Sequence, residues 1–188
     1  MLKRFLSTSI LLGCAMATYS LQAADVFTLK SSDIKPGASL DIAQVANSFG
    51  CSGKNISPAL SWANAPKDTK SFVLTVYDPD APTGSGFWHW VVFNIPATAS
   101  SLPQGIGSNE KAVLPAGAIQ SRTDTGVPGF MGACPPQGDK PHRYQFTLYA
   151  LDVDNLPLTA EATPAVVGFN VHFHTLGKAQ FEAVYQRK

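Results

Sequence analysis

Four side chains able to share protons stand where turn-rich stretches give way to alternating apolar runs. Asp78 closes the run Ser71–Tyr77, His89 opens the run ending at Ile95 between Trp88 and Trp90, and His142 directly precedes the run that begins Arg143-Tyr144. If these runs are neighbouring strands, one carboxylate, two imidazoles and the Tyr144 phenol share a single mouth. Such a set suits capture of an anion. An aspartate accepting from one ring nitrogen fixes a histidine's tautomer and turns the other nitrogen outward, while a tyrosine hydroxyl donates. The Gly132-Ala-Cys-Pro-Pro136 loop adds backbone donors at Gly132, Ala133 and Cys134, whereas Pro135 and Pro136 have none. Pro79 and Pro82 fix the path of the chain after Asp78, and Trp88, Trp90 and Phe130 are expected to supply apolar walls.

The same residue types admit other chemistry. Two histidines and a carboxylate also describe a facial triad for iron or a catalytic zinc site. Close-spaced ligand pairs such as His-Glu-x-x-His are missing, so no metal or other cofactor is expected. His172 and His174 are two apart and point away from each other on a helix, which reads as structural. For a hydrolase the sequence offers no Gly-x-Ser-x-Gly elbow, and nothing orients Ser85 between its two glycines. The rival to binding is therefore an enzyme using Asp78–His142 or Asp78–His89 as a general acid/base pair.

The elements that must position these groups are mostly strands. Ser71–Tyr77 places Phe72, Leu74 and Val76 on one face, and Arg143–Ala150 places Tyr144, Phe146 and Leu148 on one side. His89–Ile95, Val26–Lys30 and Ala179–Gln186 are further strand candidates. Between them lie turn-rich stretches at Lys35–Ala38, Asp78–Gly86 and Gly126–Pro141. One helix is expected from Thr163 as N-cap and Pro164 at the first helical position to near Gly177, although its apolar spacing is half helical and half alternating. No repeat or linker interrupts the chain. The expected architecture is one mainly β domain, an antiparallel Greek-key sandwich with one or two peripheral helices.

The 188 residues suit one core, and 14% charged residues with 45% hydrophobic ones exclude a charge-driven disordered chain and a coiled coil. With formal net charge +1 and no long basic run, nucleic acid is not an expected partner. Lys3 and Arg4 precede the uncharged, mostly apolar Phe5–Ala17, a run too short to span a bilayer, and small residues follow at Ala23-Ala24. Residues 1–23 thus read as a secretory signal peptide and 24–188 as the exported domain, periplasmic or secreted, with no transmembrane segment. The competing reading makes Leu11-Leu12-Gly13-Cys14 a lipobox that anchors the product through Cys14. In an oxidising compartment Cys51 and Cys134 can bridge, closing a loop that chain entropy values at about 4.5 kcal/mol; the alternative is two buried thiols.

The string Tyr77-Asp-Pro-Asp-Ala-Pro82, then Trp88-His89-Trp90, Pro135-Pro-Gln-Gly138 and His142-Arg-Tyr144, resembles the signatures of the phosphatidylethanolamine-binding protein family, also called Raf kinase inhibitor protein. The resemblance covers roughly Val26 to Gln186. With the signal peptide, Phe49-Gly-Cys51 and Gly132-Ala-Cys134 it is most similar to the bacterial exported YbcL-type branch. It implies a Greek-key sandwich with a small preformed anion pocket in which Asp78, Pro82, His89, Pro136, His142 and Tyr144 fall on the family's pocket positions. Implied ligands are phosphate-bearing head groups, phosphorylated side chains and small anions. The implied role is that of a non-enzymatic binder that modulates a protein partner such as a kinase or protease. Where many relatives have glycine before the Pro-Pro pair, Cys134 stands here, and its N–H is expected to stay available while its side chain is tied to Cys51. The chain runs only to Lys188, so the C-terminal helix that borders the pocket in mammalian relatives is expected to be missing and the mouth more open.

Overall fold

The computed structural model describes residues 25–108 and 113–188, so the proposed signal peptide and Cys14 lie outside the described residues. Among the described residues eight strands form two antiparallel sheets. Strands β1 (Thr28–Ser31), β2 (Leu60–Ala63) and β5 (Ser101–Leu102) make the smaller sheet in the order β1-β2-β5. Strands β3 (Ser71–Asp78), β4 (Phe87–Pro96), β6 (Ile119–Gln120), β7 (His142–Leu151) and β8 (Thr175–Tyr185) make the larger one in the order β6-β4-β3-β7-β8.

Strand β3 sits in the middle of the larger sheet, and both of its faces are covered. Phe72, Leu74 and Val76 join Trp62, Phe146, Leu148 and Phe181 in the main core, while Val73 belongs to a second cluster with Val91, Phe93, Val167 and Val171. A strand covered twice has no solvent face, which is why Ser71–Tyr77 carries apolar residues on both sides, Phe72, Leu74 and Val76 on one and Val73 on the other. The outer layer is helix α1 (Pro164–His174), capped by the Thr163 hydroxyl accepting from the Val166 N–H at 3.4 Å. The helix ends at His174 rather than near Gly177, because the chain turns directly into β8 and Gly177 pairs with Ala150. Val167 and Val171 face the sheet, whereas Phe169 and Phe173 face outward, which accounts for the mixed spacing.

Antiparallel pairing brings the required ends together. Asp78 pairs with Phe87 and Tyr77 with Gln145, so the C-terminal end of β3 meets the N-terminal ends of β4 and β7. Trp90 pairs with Val76 and Trp88 with Tyr77, leaving His89 as an extra residue in a β-bulge. A bulge re-aims one side chain and tightens the local twist. Here it turns His89 inward at the sheet end while Trp90 also enters the core, an arrangement that strict alternation does not produce.

Candidate functional site

A cavity of about 210 Å³ opens at these strand ends. Asp78, Pro82, His89, Cys134, Pro136, His142 and Tyr144 all line it, together with Phe49, Phe87 and Met131. Its apolar walls are therefore not those expected. Trp90 is fully buried in the core with its Nε1–H donating to Gln120 at 2.5 Å, Trp88 lies on the outer face of the sheet, and Phe130 lines a neighbouring groove. The bulge at His89 is the physical reason for the tryptophans, since it puts Trp88 and Trp90, two residues apart, on opposite faces of the sheet.

The two histidines are held in opposite ways. His142 Nδ1 bonds Asp78 Oδ2 at 2.7 Å, and both residues are almost wholly buried. The other Asp78 oxygen accepts the Asp80 N–H at 2.8 Å. His142 Nε2 faces Asp139 Oδ2 at 3.3 Å, so this imidazole is bracketed by carboxylates and does not present a free nitrogen. His89 is oriented by a backbone carbonyl instead, with Nδ1 2.9 Å from Met131 O. A carbonyl only accepts, so Nδ1 carries the proton and Nε2 of the neutral ring is a bare lone pair. His89 Nε2 and Tyr144 Oη are both buried without a hydrogen-bond partner among the described residues, and the two rings meet edge-on with centroids 5.2 Å apart. Burial pushes the His89 pKa below the ordinary imidazole value, opposed by the Met131 carbonyl and the Asp78 charge. Burial, reinforced by the Asp78 charge, pushes the Tyr144 phenol up, keeping it a neutral O–H donor.

The loop donors divide as well. Gly132 N–H donates to Asn55 Oδ1 at 2.7 Å and Ala133 N–H to Gln44 O at 3.0 Å, so neither is free for a ligand. The Cys134 N–H has no acceptor among the described residues, and Cys134 is bonded to Cys51. Gly132 is required here, because a Cβ at this position would lie 2.5 Å from Gln44 O.

Sequence reading missed the groups that hold the cup rigid. Asn55, at φ +53°, clamps the loop from both sides, accepting from Gly132 N–H and donating through Nδ2 to Phe130 O at 3.2 Å. Its left-handed backbone, which asparagine tolerates, leaves no spacing signal. Asp80 binds Arg143 through its N–H, Nε and Nη2 at 3.0, 2.9 and 3.1 Å, stapling the loop after β3 onto β7. That Arg143 guanidinium holds the Asp80 carboxyl well below the usual carboxylate range. The second acid of Asp78-Pro-Asp80 was the available signal. Among the described residues no three His, Cys, Asp or Glu side chains group as metal ligands.

A family model described as Phosphatidylethanolamine-binding protein matches residues 30–186. The UPF0098 protein YbcL of Escherichia coli strain K12 is 48% identical over 174 residues, which is 93% of this chain and 94% of that protein. YbhB of the same organism is 52% identical over 157 residues, 84% of this chain and 98% of that one. The crystal structure of E. coli YbcL, described as a new member of the mammalian PEBP family, matches with a TM-score of 0.84 at 48% identity, covering 86% of this chain and 99% of that one.

Proposed function

Because the chain belongs to the phosphatidylethanolamine-binding protein family, we propose that it captures a phosphate- or carboxylate-bearing group in the cavity at the ends of β3, β4 and β7. The observation that carries this reading is the pair of buried polar atoms without partners, His89 Nε2 and Tyr144 Oη, facing one cavity beside the free Cys134 N–H. Leaving a polar group buried and unpaired costs about 1–3 kcal/mol, so two together mark a place where a guest completes the hydrogen bonding. Tyr144 and Cys134 donate to an oxygen. His89 does so only with a second ring proton, so the anion enters with a proton, taken from water or carried on the ligand's own hydroxyl.

The arrangement suits binding better than acid–base catalysis. His142 Nε2 is engaged with Asp139, and the sulfur of Cys134 is consumed in the disulfide. We further propose that residues 1–23 direct export to an oxidising compartment, as the Cys51–Cys134 bridge suggests, that 24–188 act there as one binding domain, and that occupancy of the cup modulates a protein partner. Mass spectrometry of the mature N-terminus separates cleavage after Ala23 from lipidation at Cys14.

Calorimetric titration of inorganic phosphate, acetate and phosphorylethanolamine at pH 5.5 tests the cup. Wild type is expected to bind at least one of them. Tyr144→Phe and His89→Ala are each expected to weaken that ligand ten- to hundredfold, the loss of one hydrogen bond worth about 1.4–3 kcal/mol to a charged group. No heat from any of the three, or unchanged affinity in both variants, refutes the proposal.

A further inference from the structure

Phe49 breaks two rules at once. Its side chain is 72% exposed, and its backbone sits in the left-handed region at φ +54°, followed by Gly50 at +78°. A bulky L-residue is rarely found there, and a large apolar side chain gains nothing from facing water. The surroundings nonetheless hold it in place. Cys51, two residues on, is bridged to Cys134 in the cavity wall, Cys51 N–H donates to Ser48 O at 2.9 Å, and Arg187 Nη2 donates to Gly50 O at 2.6 Å. The ring belongs to neither core cluster. It lines the anion cavity on one side and, on the other, a shallow groove of about 310 Å³ that it shares with Val127, Pro128, Phe130 and Met131. The Ser48–Cys51 turn accounts for the left-handed backbone, but such a turn favours Gly, Asn or Asp, so it does not account for an exposed aromatic ring held at the lip of a cavity.

We propose that Phe49 is a specificity-determining platform, on which the flat apolar group carrying the anion stacks as it leaves the cavity for the adjoining groove. The site then prefers an anion bonded directly to an aryl ring over a bare anion or one on an alkyl chain, because ring-on-ring stacking rewards a flat partner. This inference rests on the anion-binding reading of the same cavity. The cationic Arg187 side chain at Gly50 favours the approach of any of these anions and does not discriminate among them.

Three probes separate the possibilities: inorganic phosphate, phenyl phosphate and hexyl phosphate, titrated into wild type, Phe49→Leu, Phe49→Ala and Phe49→Gly. Wild type is expected to bind phenyl phosphate at least tenfold tighter than either other probe. Phe49→Ala and Phe49→Gly should bring the phenyl-to-inorganic ratio close to one, and Phe49→Leu should leave phenyl and hexyl phosphate alike. Phe49→Gly should melt no lower than wild type, since glycine fits the left-handed backbone and no packing is lost. Phosphate binding with no preference for the phenyl ester overturns the platform and leaves the anion cup standing, as does a ratio that survives in Phe49→Ala. Equal preference for hexyl phosphate in wild type reduces the ring to an unselective lip, and a marked fall in the melting temperature of Phe49→Gly makes it structural. Absence of binding by all three probes to wild type removes the cup and the platform together.

Discussion

Helix α1 and the sheet beneath it enclose a second depression of about 300 Å³, larger than the cavity at the strand ends at about 210 Å³. Trp88, Tyr149, Val167, Val171 and Thr175 line it, and the Thr175 hydroxyl is already used, donating to Val171 O at 2.6 Å. No buried polar atom on its lining lacks a partner among the described residues, whereas the smaller cavity has two. Each region also carries an Asp–His pair. Asp78–His142 is buried at 2.7 Å, and Asp152–His174, where α1 passes into β8, is solvent-exposed at 2.9 Å. Residue types are thus comparable, and volume favours the helix side. What differs is desolvation, which makes polar groups in the cavity expensive to leave unpaired and those around the helix cheap.

The widest separation between the two regions should come from breaking these pairs. His142→Leu leaves the Asp78 carboxylate buried with only the Asp80 N–H as a partner, and should cost about 3–5 kcal/mol in urea denaturation. His174→Leu breaks a pair with the same chemistry in water and should cost less than about 1 kcal/mol. Similar losses in the two variants would show that burial is not what distinguishes the regions. The Cys51–Cys134 bridge is the next largest lever, since it spans 83 residues of sequence and Cys134 itself lines the cavity. Cys51→Ser with Cys134→Ser should lower stability by about 2–4 kcal/mol and also weaken phosphate, because the freed loop carries the Cys134 N–H. A stability loss with phosphate affinity unchanged would detach the bridge from the site.

Acidification sharpens the comparison through its sign. The unfolded chain protonates His89 near pH 6.5, but the buried ring resists, so its contribution to stability is complete above about 6.5 and is lost as pH falls toward the lowered folded value. Between pH 7.5 and 5.5 wild type should therefore lose more stability than His89→Gln, by at most about 1.4 kcal/mol per pH unit. Anion affinity should move the other way. Sulfate carries no proton of its own in this range, so its uptake must protonate His89, and its affinity should rise by up to about tenfold per pH unit of acidification. Parallel rather than opposed slopes would remove His89 as the proton acceptor.

The same physics explains what could be read from the chain. Period-two patterning and runs of β-branched and aromatic residues located β3, β4 and β7, and with them the strand ends where Asp78, His89, His142 and Tyr144 meet. The short strands β2, β5 and β6 escaped notice, since two to four residues pair without displaying a period. The bulge at His89 was also invisible, being set by register with β3 rather than by local sequence, and with it went the placement of Trp88 and Trp90. The sequence did suggest an Asp–His pair, but not which histidine would keep a free nitrogen. That depends on Met131 O and Asp139, groups brought in by loops whose course only tertiary contacts decide.

The smallest effect probes the helix side directly. Gly168 lies in the middle of α1 on the lining of the larger depression, and a Cβ built there meets nothing within 4 Å. Glycine inside a helix is worse than alanine by about 0.5–1 kcal/mol, chiefly through the backbone freedom lost on folding. Gly168→Ala should therefore raise stability by about that amount, visible as a higher urea midpoint at unchanged slope. Its phosphate affinity should equal that of wild type, since the substituted position does not line the cavity at the strand ends. If affinity changes, the two depressions are coupled through the sheet that separates them, and the contrast in desolvation is no longer a sufficient ground for assigning the proposed binding to one region alone.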